Sequence, residues 1–95
     1  MITVTRYDGG LSIDGHAKFA EPGKDIVCAA VSTLVQTLVF SITEITTDEI
    51  QYDIQPGWVD IKHGALSEGA QLLMKSFFVG IRLIADAYPA NVRIV

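Results

Sequence analysis

Residues 25–44 read DIVCAAVSTLVQTLVFSITE, and how this stretch folds decides the class of the whole chain. From Ile26 to Thr43 it runs for 18 residues without a charge, the minimal length at which a membrane span must be considered. Its pattern argues against one. Thr33, Thr37 and Ser41 recur at helical spacing with Gln36 beside them, while Leu34, Val35, Leu38, Val39 and Ile42 share the opposite surface. This is the distribution of a helix inside a soluble domain, and Asp25 is a favoured residue to cap its start.

Upstream, Ile2, Val4 and Arg6 alternate with Thr3, Thr5 and Tyr7, and Asp8-Gly9-Gly10 supplies a hairpin turn. The return strand is predicted over Leu11 to Ala17, with His16 at its far end. The segment AKFAEPGK, from Ala17 to Lys24, has no periodicity and reads as a loop around Pro22 and Gly23. Downstream of the helix, Glu49 to Ile54 and Trp58 to Lys62 form a second hairpin joined by Gln55-Pro56-Gly57. Ser67 caps a second helix with Leu73, Phe77, Ile81 and Ile84 on one side, and Glu68, Gln71, Lys75, Arg82 and Asp86 on the other. Pro89 stops it, and Asn91 to Val95 is a last strand. The order β-β-α-β-β-α-β predicts an α/β (α+β) fold in which two helices pack on a mixed sheet in two or three layers. Strand order is not legible, and the paired hairpins carry no residue-level repeat.

The 95 residues make one domain, 1–95, with 49% apolar and 19% charged residues, ample for a core. A net charge of −4 argues against nucleic acid, which needs clustered Lys and Arg, and favours a basic partner over an acidic one. The alternating start Met1-Ile2-Thr3-Val4 lacks the basic-then-apolar order of a secretory signal, so no targeting segment is expected. One cysteine excludes an internal disulfide and suits a reducing, cytoplasmic compartment. Two histidines and that cysteine stand in no metal-ligand spacing, so neither metal nor other cofactor is expected.

With Asp25 as cap, Cys28 falls in the first helical turn, where unpaired amides and the helix dipole favour thiolate over thiol. Those amides are also candidates to hold the oxyanion formed when sulfur attacks a carbonyl, although a capping Asp25 competes for them. Such a thiol needs a base that later protonates the leaving amine. His16, twelve positions earlier and followed by a loop, is better placed for this than His63. Asp25 or Asp14 would orient that imidazole, with Asp25 ranked first. Taken residue by residue, a bland reading competes: Cys28 as buried filler, His16 as a structural residue, and Ser32 bonding a carbonyl.

The longer pattern narrows this choice. Gly15-His16-Ala17, a loop ending in Gly23, then Asp25-Ile26-Val27-Cys28-Ala29-Ala30-Val31-Ser32 resembles the signature of the ribosomal-processing cysteine protease family. Tyr88-Pro89 followed by Val92-Arg93-Ile94 resembles the family's ending. The resemblance implies a homodimeric α/β cysteine peptidase of the cytoplasm with His16 and Cys28 as catalytic dyad. Asp25 and Ser32 would be supporting residues, and Gly15, Ala17 and Gly23 would belong to the substrate loop. It implies as substrate the N-terminal extension of large-subunit ribosomal protein twenty-seven, cut after an apolar, aromatic-rich stretch, with neither nucleic acid nor membrane as partner. The alternative is a non-catalytic ribosome-associated module for peptide binding or dimerisation.

Overall fold

The computed structural model describes residues 1–95. The chain runs β1 (Ile2–Tyr7), β2 (Gly10–Asp14), α1 (Ile26–Ile45), β3 (Ile50–Gln55), β4 (Trp58–His63), α2 (Glu68–Ala87) and β5 (Val92–Ile94), in the order expected from the sequence. The five strands form one sheet ordered β3-β4-β2-β1-β5, antiparallel throughout except where β5 lies parallel to β1. That parallel pair is reached by α2, which carries the chain back across the sheet.

Strand alternation divides the sheet into two faces. Val4, Ile13, Val59 and Ile54 stand opposite one another across four strands, as do Leu11 and Ile61, and this face meets the helices. The other face carries Thr5, Ser12, Asp60 and Asp53 in register and is open to water. The architecture is therefore two layers. Helix α1 is apolar enough to cross a membrane by length and composition, with a mean hydropathy of 2.0. Its Val27, Val31, Val35, Leu38, Val39 and Ile42 are instead buried in the core. Each such side chain withdrawn from water contributes roughly 1.5–3 kcal/mol before entropy is counted.

Helix α2 is turned slightly from its expected orientation. Phe77 and Ile81 are buried with Ala70 and Met74, whereas Leu73 and Ile84 sit half-buried at the margin. The expected i, i+4 line drifts around a 3.6-residue helix, and short Ala70 lets α2 approach the core closely at its start. The expected caps are present: Asp25 at α1, and Ser67 Oγ accepting from Ala70 N at 3.2 Å.

Strand β2 ends at Asp14 rather than Ala17. Gly15 adopts φ +102°, a side chain there would collide with the Met1 carbonyl, and its N–H makes a last bond to Gly57 O at 2.8 Å, one step beyond the final β2–β4 pair. His16 consequently lies beyond the strand.

Candidate active site

One end of the sheet gathers the end of β2, the start of α1, the β3–β4 turn and the approach to β5. The segment Gly15-His16-Ala17 is fixed there by its backbone. Gly15 N donates to Gly57 O, His16 O accepts from the Met1 ammonium at 2.6 Å, and Ala17 O accepts from Asn91 Nδ2 at 2.9 Å. Ala17 N donates to Cys28 Sγ at 3.4 Å, so the thiol is bonded directly to the residue after His16. Cys28 is half-buried and His16 exposed.

The two side chains share two hollows. One, about 420 Å³, has an apolar wall of Val31 and Val35 from α1 and Ile54, Pro56 and Trp58 from the second hairpin. The other, about 600 Å³, is walled by Lys18, Ala20, Pro22 and Gly23 of the loop. His16, Cys28 and Ser32 line both, so an extended chain passing from one hollow to the other would cross the thiol.

Asp25 is a clamp rather than an orienting acid. Its Oδ1 accepts from Val27 N and Cys28 N, each at 3.0 Å, and its Oδ2 accepts from Phe19 N at 2.9 Å and Ala20 N at 3.3 Å. The bond from the Cys28 amide, with those from the loop, holds this carboxyl below the usual aspartate range. With Val27 N and Cys28 N so occupied, those amides are not free to hold an oxyanion. Asp14 lies opposite Thr3 and Trp58 on the open face of the sheet. Neither acid orients His16; the β3–β4 turn touches it instead, since a methyl on Gly57 would stand 2.5 Å from Nε2.

The remaining expected residues divide. Gly15 lines the hairpin-side hollow and Gly23, at φ +86°, the loop-side hollow. Ala17 is 1% exposed, so its methyl belongs to the core and only its backbone addresses the site. Phe19 leaves the loop to pack edge-on against Tyr88 at 5.2 Å. His63 is remote, its Nδ1 2.8 Å from Gly64 O, in an open polar hollow of about 830 Å³ at the opposite end of the sheet. Gly57, Asn91 and Trp58 escaped the sequence reading. The turn composition around Pro56 marked the neighbourhood of Gly57 and Trp58 without saying which site it faced, and Asn91 was marked only as the start of the last strand.

Known proteins share sequence and fold with this chain. A family described as cysteine protease Prp matches residues 1–93. The ribosomal processing cysteine protease Prp of Staphylococcus aureus is 33% identical over 85 residues, covering 86% of this chain and 80% of the relative. That of Bacillus subtilis is 30% identical over 98 residues, covering 93% and 88%. A crystal structure of the S. aureus protease with a covalently linked product peptide superposes with a TM-score of 0.91 at 30% identity, covering 99% of this chain and 97% of that one. A second, with a substrate peptide, gives 0.82 at 26% identity over 99% and 95%. With the match spanning nearly every residue and both layers of the fold, the chain belongs to the Prp family of cysteine proteases.

Proposed function

We propose that this protein is a cytoplasmic cysteine endopeptidase that removes the N-terminal extension of large-subunit ribosomal protein twenty-seven, cutting after an apolar, aromatic-rich stretch. The observation that carries the reading is the common cleft of Cys28 and His16 at the start of α1. The relatives named as ribosomal processing proteases, and the peptides in their crystals, support the substrate class. The apolar wall of Val31, Val35, Ile54 and Pro56 suits aromatic side chains.

In this mechanism the Cys28 thiol gives its proton to His16 and sulfur attacks the scissile carbonyl carbon. The carbon–nitrogen bond breaks as His16 passes that proton to the departing amine, leaving a thioester. Water then attacks the thioester while His16 takes its proton and returns it to sulfur, releasing the extension as a free acid. Asp25 keeps the first turn of α1 and the loop together, and Ser32 supports the strip of α1 beneath the peptide. A second copy of the chain is the proposed partner for α2, whose Leu72, Val79 and Leu83 are 65%, 46% and 62% exposed.

Incubating a synthetic extension peptide with the wild type, Cys28→Ala and His16→Ala, followed by mass spectrometry, tests this function. One defined cut that both substitutions abolish is expected. Binding without a wild-type-dependent product would instead identify a non-catalytic peptide-binding module.

A further inference from the structure

We propose that Gly57, in the turn of the second hairpin, is the positioning residue for His16, acting as a platform on which the imidazole rests; this builds on the dyad proposed above. The imidazole lies so close to the Gly57 backbone that a methyl there would stand 2.5 Å from Nε2, 2.8 Å from Cε1 and 3.2 Å from Cδ2. No side chain fits without the ring moving. The same residue accepts the Gly15 N–H at 2.8 Å, so one turn supports both the backbone before His16 and its ring. No carboxylate has taken that task, because Asp25 bonds four backbone amides and Asp14 lies on the open face of the sheet.

A turn requirement alone does not account for this. Gly57 has φ +74° and follows Pro56, a setting that favours glycine for backbone reasons. Gly9, the corresponding residue of the first hairpin, has φ +84°, yet a methyl there would meet only the His63 carbonyl oxygen at 3.5 Å, an ordinary contact. The two glycines share a backbone need and differ in what occupies the space beside them. The consequence is directional. A side chain at 57 displaces a proton carrier from the thiol, and misplacing a reacting group by about 1 Å costs on the order of 10²-fold in rate.

The experiment compares Gly57→Asn with Gly9→Asn, because asparagine tolerates a positive φ while still introducing a side chain. For Gly57→Asn, kcat for the extension peptide should fall by roughly tenfold or more with KM little changed. The pH profile of Cys28 alkylation by iodoacetamide should move toward that of His16→Ala. Gly9→Asn should match the wild type in both. Equal behaviour of the two asparagine variants, or a wild-type profile for Gly57→Asn, overturns the proposal. If His16→Ala itself leaves cleavage and alkylation unchanged, the dyad fails and the platform with it; if His16→Ala impairs both and Gly57→Asn does not, only the platform fails. Wild-type protein supplies a check independent of folding in the variants. A nuclear Overhauser contact between His16 Hε1 and the Gly57 Hα protons is expected, and its absence overturns the proposal.

Discussion

The backbone amide of Ala17 donates to the sulfur of Cys28 across 3.4 Å, joining residues eleven positions apart. The far side of the same residue is held by Asn91, whose side-chain amide reaches the Ala17 carbonyl at 2.9 Å. Asn91→Ala therefore removes one half of a two-sided grip. Stability should drop by about 1 kcal/mol, the net worth of a partly buried hydrogen bond, seen as a lower urea midpoint. Alkylation of Cys28 should also slow in the folded variant.

The depressed pKa of Asp25 gives a pH signature. Its carboxyl is held low first by the Cys28 amide, so the native state prefers the ionised form more than the unfolded chain does. The stability it contributes is fully present above the ordinary value of about 3.9 and is lost as pH falls through the lower folded value. Asp25→Asn should lower the urea midpoint at neutral pH, and the gap to the wild type should close on acidification. A gap independent of pH would count against the clamp.

Gly23 separates sterics from backbone conformation in the loop. Nothing lies within 4 Å of where its side chain would begin, yet its φ is +86°. Gly23→Val should keep the fold but lower the urea midpoint and reduce kcat/KM roughly tenfold, since a β-branched residue costs about 1–3 kcal/mol in that region. Gly23→Asn should be close to wild type. Equal turnover in all three would show that the loop does not govern peptide binding.

Ile81 tests the core apart from the chemistry. It is 0% exposed on the core side of α2, and Ile81→Ala should cost about 2–5 kcal/mol in urea denaturation. Below its unfolding transition the variant should still alkylate at Cys28 at the wild-type rate.

The order of elements and both helix starts were legible because local physics sets them. Asp25 and Ser67 are capping residues whichever fold surrounds them, and the alternation of the strands shows in their β-branched residues. The pairing of His16 with Cys28 required a family pattern, since twelve positions of irregular loop have no period to read. The strand order β3-β4-β2-β1-β5 was hidden because it depends on how two helices carry the chain across the sheet. The place of Gly57 beside His16 was hidden for the same reason. Its turn composition looks the same whether or not an imidazole lies on it, and only the pairing of β4 with β2 brings the two together.

The grip on Gly15-His16-Ala17 draws on Gly57 and on Asn91, the latter seventy-four positions from the residue it holds. Neither partner is in place until the second hairpin has joined the sheet and α2 has returned the chain to β1. A ribosome still synthesising this chain thus carries a Gly15-His16-Ala17 segment without its full set of backbone partners, which is complete only once the last strand docks.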